Sequence, residues 1–215
     1  MDFSMPHAPF TSMNTPYILD KTAGRERVWD LWSRLHSDRI VYLGDDITDY
    51  NANLVIGQLL QLEASDRAQP IQLYINSRGG SVSAGLAIYD VMNYIEPEVR
   101  TVCVGLAASM AAVLLACGAK GHRYCMPNSS VMIHQVRGGA QGVVTDMEIT
   151  LKRAAMLKEK LNRLLAEKTG RPYEQVVADA ERDYWLSSDE ALEYGLVDKV
   201  LFTRVSEKKS DDEEE

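Results

Sequence analysis

The sequence predicts an α/β domain, and three observations predict it. Short apolar strands alternate with helical segments along most of the chain. A glycine pair, Gly79-Gly80, stands between one strand and the helix after it. A lone serine, Ser109, separates another strand from an apolar helical run, Met110 to Cys117.

Met1 to about Thr22 mixes Pro6, Pro9 and Pro16 with Ser, Thr and Met and reads as an irregular arm. From Arg25 to Leu35, apolar Val28, Leu31, Trp32 and Leu35 recur at helical spacing. Arg39 to Leu43 reads as a strand. Asp46 or Thr48 caps a helix carrying Leu54, Ile56, Leu59, Leu60 and Leu62. Ile71–Ile75 is a second strand, Ser81–Ile95 a helix, and Thr101–Val104 a third strand feeding Ser109. Tyr124–Met126 and Val131–Ile133 are short β segments. Val143–Thr169 is the longest helix, closed by Gly170. Helices from Tyr173 and over Ser188–Tyr194 precede a last strand, Val197–Leu201. The expected division is an arm (1–22), one domain (23–204) and an acidic tail (205–215).

Hydrophobic residues make up 46% and charged residues 25% of the 215 positions, which is globular composition. Part of the net charge of -8 lies in the tail, where six acids face two lysines, a block unable to bury apolar area. No broad basic stripe invites nucleic acid. No apolar run is long enough to span a bilayer, and no secretory signal opens the chain. Three cysteines without metal-ligand spacing, Cys103, Cys117 and Cys125, fit reduced core thiols and a cytoplasmic setting.

A hydroxyl is a weak nucleophile at neutral pH and needs a base, and the base needs an orienter. Ser109 and His134 are candidates for the first two roles. Each also has a plain structural reading, as a small residue opening a helix and a satisfied core histidine. Asp183, in Arg182-Asp183-Tyr184-Trp185, is a surface carboxylate or the orienter of His134. The Gly79-Gly80 turn has backbone able to approach a ligand closely, but no Walker loop follows it. Gly138-Gly139-Ala140-Gln141-Gly142, just after His134, suits pairing with an extended peptide.

These segments carry a resemblance. Tyr74-Ile75-Asn76-Ser77 with Gly79-Gly80-Ser81, Ala107-Ala108-Ser109-Met110, Met132-Ile133-His134-Gln135, the glycine-rich run after it, Arg182-Asp183 and Glu193-Tyr194-Gly195-Leu196-Val197-Asp198 are similar to ClpP. ClpP is the family of proteolytic subunits of the Clp protease, peptidase family S14. The likeness runs from about Arg25 to Leu201. It implies the ClpP/crotonase-like fold of repeated ββα units with a protruding handle helix. It also implies two stacked heptameric rings around a chamber. A AAA+ unfoldase of the ClpX, ClpA or ClpC type would feed unfolded polypeptide and use the ATP. This chain itself would bind no cofactor or metal.

Carried over by position, Ser109 is the nucleophile, His134 the base and Asp183 its orienter, with an oxyanion hole at the N–H groups of Gly80 and Met110. Val82 and Arg137 fall on the substrate strand, and Gln135 and Arg182 on a ring interface. Tyr74, Val102, Val104, Tyr124, Met126 and Leu201 fall on the unfoldase-docking pocket, with core packing as their alternative. The chain also departs from the family. Arg78 stands where proline is usual, Val136-Arg137 where Pro-Leu is usual, Gln72 where an aromatic is common, and Ala111 where glycine is frequent. These departures raise a second expectation: a weakly active, structural or regulatory paralogue in a mixed ring. A crotonase-like acyl-CoA enzyme is a remote third.

Overall fold

A computed structural model describes residues 15–22 and 25–202; Met1–Asn14 and the acidic tail lie outside them. The chain divides into two units, Met1–Ile40 and Val41–Glu215.

In the first unit β1 (Tyr17–Thr22) pairs antiparallel with β2 (Arg25–Asp30), from Tyr17 opposite Asp30 to Thr22 opposite Arg25. Two sequence expectations change here. The expected arm ends in a strand, because its last residues from Tyr17 find a partner that no local period announces; its first fourteen residues lie outside the described ones. The helix expected from Arg25 begins only at Leu31. Asp30 is extended, and its Oδ1 accepts the N–H of Ser33 at 3.0 Å, which starts α1 (Leu31–Ser37). Val28 therefore belongs to a strand, and its helical spacing to Leu31 and Leu35 is coincidental. Within the described chain α1 buries none of its residues.

The second unit is built on a seven-stranded sheet. Its strands are β3 (Ile40–Leu43), β4 (Ile71–Ser77), β5 (Val99–Ala108), β6 (Arg123–Cys125), β7 (Ser130–Ile133), β8 (Tyr184–Ser187) and β9 (Lys199–Val200). The main order is β3-β4-β5-β6-β9, and β7 joins β5 to β8. β4, β6 and β7 all run parallel to β5, whereas β8 is antiparallel to β7.

The long β5 divides its partners. Thr101–Cys103 pair with β6, and Leu106–Ala108 pair with β7. The changeover falls at Gly105, whose φ is +81°. A side chain there would meet the Asn76 amide oxygen at 3.0 Å, beside the register shift between Ile75 and Ser77 on β4. Consequently the C-terminal ends of β4, β5 and β7 gather in one place.

Helices cover this sheet. α2 (Asp49–Ser65) is capped by Thr48, whose Oγ1 accepts from Asn51 N–H at 3.2 Å. α3 (Val82–Tyr94) is capped in the same way by Ser81. α4 (Met110–Ala116) is buried at every residue, as its unbroken apolar run requires. α5 (Val144–Thr169) ends on Gly170 in the left-handed region. It buries Leu161, Asn162, Leu164 and Leu165 in its second half, while Val144, Ile149, Leu151 and Met156 stay exposed. α6 (Tyr173–Asp179) and α7 (Ser188–Tyr194) follow. No helix of the described residues is long and apolar enough to cross a membrane.

Buried Arg123 ties the far end together. Its guanidinium grips both carboxylate oxygens of Asp198, at 2.9 and 2.6 Å, and donates to the carbonyls of Ala116 and Lys168. Four separated segments are thereby joined through one side chain. The fork geometry of guanidinium and carboxylate makes this pair directional.

Candidate active site

Strand pairing alone nearly assembles the site. Ser109 follows β5, His134 follows β7, and β7 lies beside the end of β5. The N–H of Ser109 donates to the carbonyl of Met132 at 2.8 Å, which pins the serine next to the histidine segment. On the other side, Ile133 pairs with Tyr184 in an antiparallel ladder. One more step along that register puts His134 opposite Asp183.

The side chains complete the line. His134 Nδ1 lies 3.0 Å from Asp183 Oδ1, and His134 Nε2 lies 2.8 Å from Ser109 Oγ. With Nδ1–H donating to the carboxylate, Nε2 is left to accept the serine proton. The imidazole is 11% exposed and the carboxylate 39%, so water reaches the outer end of the line more easily than the inner. The hydrogen bond from His134, and then that from Arg137, holds the Asp183 carboxyl below the usual carboxylate range. Arg137 and His134 share the same oxygen, Oδ1.

Ser109 sits at φ +57°, ψ -124°, a conformation that side chains other than glycine rarely adopt. It precedes the first turn of α4 but makes no side-chain cap bond, because its Oγ faces His134 instead. The strain is sustained by packing. Gly79, at φ +91°, lies against Ala108, Ser109 and Met110 so closely that a Cβ would approach the Ser109 Cβ to 2.8 Å.

Gly80 is held by a parallel bridge to Ile47. The N–H of Ile47 donates to Gly79 O at 2.7 Å, and the N–H of Ser81 donates to Ile47 O at 2.8 Å. That pattern uses the groups on either side of Gly80 and leaves its own N–H facing away from Ile47. Met110 opens α4, where an amide has no intrahelical acceptor. Among the described residues neither amide has a hydrogen-bond partner. Both line one cleft with Ser109 and His134.

The cleft is walled by Val113, Ile133, Leu161 and Leu165, with Arg78, Arg137 and Lys158 among its polar lining. Val82 lines it as the first residue of α3, so its backbone is helical rather than a free strand edge. Gln135 and Arg182 lie beside the histidine and the aspartate. The Gln135 side chain donates to the Glu181 carbonyl at 2.9 Å and accepts from Lys158 at 3.1 Å, while Arg182 is exposed.

The six candidate docking residues come together on one face. Tyr74, Val102 and Tyr124 are register partners across β4, β5 and β6. Val104, two residues further along β5, continues the pattern with Met126 just past β6 and Leu201 just past β9, where Met126 N–H bonds Cys103 O and Leu201 N–H bonds Cys125 O. Val102 is 2% exposed, yet it stands outside the main core, to which its neighbour Cys103 belongs.

Three features escape sequence reasoning. β8 was hidden in the four residues after Asp183, too short to show alternation. The Lys158–Glu181 pair at 3.0 Å joins α5 to the turn after α6, between residues 23 apart. Asn162 is 3% exposed within the cleft lining, although its place in an apolar helix face gave no sign of it.

Comparison with known proteins agrees with this geometry. The family description for Clp protease matches residues 23–204. The ATP-dependent Clp protease proteolytic subunit 2 of Bacillus licheniformis is 55% identical over 190 residues, which cover 88% of this chain and 100% of that protein. With its mixed α/β sheet and its serine, histidine and aspartate in line, the chain belongs to the Clp protease family.

Proposed function

We propose that this chain is the serine endopeptidase subunit of an ATP-dependent Clp-type protease, with Ser109, His134 and Asp183 as its catalytic residues. The observation that carries the reading is the continuous hydrogen-bonded line Ser109–His134–Asp183, at 2.8 and 3.0 Å.

The chemistry follows from the line. His134 Nε2 takes the Ser109 proton as Oγ attacks a peptide carbonyl. Asp183 fixes the histidine tautomer and faces the imidazolium that forms. The oxyanion settles on the N–H groups of Gly80 and Met110, and losing one such donor typically costs about 3 kcal/mol of transition-state stabilisation. His134 returns its proton to the leaving amine, which leaves an acyl group on Ser109. Water, deprotonated by His134, then releases the acyl group and restores the serine.

Ring assembly and delivery by a AAA+ unfoldase belong to the same reading. The exposed Val144, Ile149, Leu151 and Met156 on the first half of α5 support a stacking handle, since apolar residues so placed gain by burial against a second ring. The shared face of Tyr74, Val102 and Tyr124 supports docking of apolar loops. The unfoldase uses the ATP, and the assembly is cytoplasmic.

A second reading is favoured by one observation. Arg137 binds the same Asp183 oxygen that orients His134. A subunit with low activity on its own, active in a mixed ring, fits that competition.

The test is a fluorophosphonate label with a fluorogenic peptide, applied to the wild type and Ser109→Ala, with native mass measured on both. The expected result is a ring in both, with labelling and cleavage only in the wild type. Cleavage that survives in a clean Ser109→Ala preparation defeats the mechanism. Activity that appears only on mixing with a second paralogue selects the mixed-ring reading.

A further inference from the structure

We infer that this cleft selects polypeptides carrying an acidic side chain close to the scissile bond, and that Arg78 reads it. The inference rests on the peptidase reading above and specifies its substrate.

The argument begins with charge. The cleft lining holds Arg78, Arg137 and Lys158 and no aspartate or glutamate. This is unexpected in a chain of net charge -8. Two of the three cations are already matched by carboxylates just outside the lining. Lys158 is 3.0 Å from Glu181, and Arg137 binds Asp183. Arg78 is different. It is exposed, and among the described residues it has neither an ion-pair nor a hydrogen-bond partner. The cleft therefore holds one uncompensated guanidinium.

Its place in the chain gives that charge a use. Arg78 follows β4 directly and precedes the Gly79-Gly80 turn, whose second amide faces the reacting carbonyl in the proposed mechanism. A peptide bound with its carbonyl at Gly80 passes within reach of this long, flexible side chain. The apolar wall of Val113, Leu161 and Leu165 accepts one side chain of the substrate. The guanidinium at the rim then meets a neighbouring one. Its planar fork of donors matches a carboxylate, and it opposes a lysine or arginine at the same position. Because Arg78 is exposed, the preference is modest and sensitive to salt.

The test uses the full chain in the assembly it forms. Quenched fluorescent peptides are compared that differ only in Glu, Gln or Lys at each position within three residues of the cleaved bond. At one position, wild-type kcat/KM should favour Glu over Gln by about two- to fivefold at low salt. The preference should shrink toward unity in about 0.5 M NaCl. Arg78→Gln should bring the Glu-to-Gln ratio to about one, and Arg78→Glu should turn the preference toward Lys. Wild-type cleavage that is indifferent to charge, or a ratio unchanged in Arg78→Gln, overturns the inference and leaves the peptidase reading standing. Absence of both cleavage and fluorophosphonate labelling of Ser109 overturns the two together.

Discussion

Alanine at position 79 is the most direct probe of how the reactive serine is positioned. Gly79 has φ +91°, which a side chain adopts only at a cost of about 1–2 kcal/mol. A Cβ there would lie 2.5 Å from Ala108 O and 2.8 Å from Ser109 Cβ. Against an ordinary contact of 3.4 Å these fall short by about 0.9 and 0.6 Å. Neither neighbour is the end of a flexible side chain, so the backbone at 108–110 must move. Overpacking of this kind adds about 1–3 kcal/mol, for a total near 2–5 kcal/mol. The kinetic consequence is the sharper one. A displacement of about 1 Å at the reacting group can lower the rate on the order of 100-fold. The Met110 amide moves with the serine, since the same Cβ would come within 3.0 Å of its nitrogen.

The assay is kcat/KM on a fluorogenic peptide, with native mass and thermal midpoint measured on the same preparation. Gly57→Ala is the matched control. Gly57 is an exposed residue inside α2 with nothing within 4 Å of a built Cβ. That substitution should leave kcat/KM unchanged and raise stability by about 0.5–1 kcal/mol. Gly79→Ala should lose about two orders of magnitude in kcat/KM while still assembling. If it assembles and retains activity within about threefold, the serine does not depend on this contact and the positioning argument fails.

Two further predictions concern the buried clamp and the outer carboxylate. Arg123→Met should destabilise the fold by about 3–5 kcal/mol in denaturant titration, because Asp198 and two carbonyls lose their donor at once. A loss below about 1 kcal/mol would mean that the clamp is replaceable by packing. Asp183 is held below its ordinary range, so its contribution to stability is complete above about pH 4 and is lost as pH falls through the lowered folded value. Arg137→Gln removes the second of the two stabilising partners and should move that acid transition to higher pH. Trp185, 56% exposed and two residues from Asp183, reports it by fluorescence, and an unmoved transition would argue that the Arg137 contact is dispensable.

Most of the second unit was legible in the sequence because its elements are locally marked. The helices over 49–65 and 82–94 carry both an apolar period and a capping hydroxyl, at Thr48 and Ser81. Gly170 announced the end of α5. The elements that failed to show are those defined by a partner. β1 and β2 exist through each other, and β8 exists through β7. The residues at Val28, Leu31 and Leu35 fit a helical period that the chain uses only from Leu31 onward. At the site, the identities of Ser109, His134 and Asp183 were readable through motifs. The sharing of Asp183 between His134 and Arg137 was not, because it depends on a register between segments 46 residues apart.

That register bears on function more than any single contact. Asp183 lies one residue before β8, and β8 is paired to the rest of the sheet through β7 alone. Four residue pairs, Ser130–Ser187 to Ile133–Tyr184, determine which side chain stands opposite His134. A slip of one residue would turn every β8 side chain to the other face and exchange Asp183 for Tyr184 or Arg182. The buried Leu186 and the capping box at Ser187 and Glu190 oppose such a slip, since one anchors the face and the other fixes where α7 begins. Substitutions there should thus impair peptide cleavage through the carboxylate, although none of these residues touches the serine.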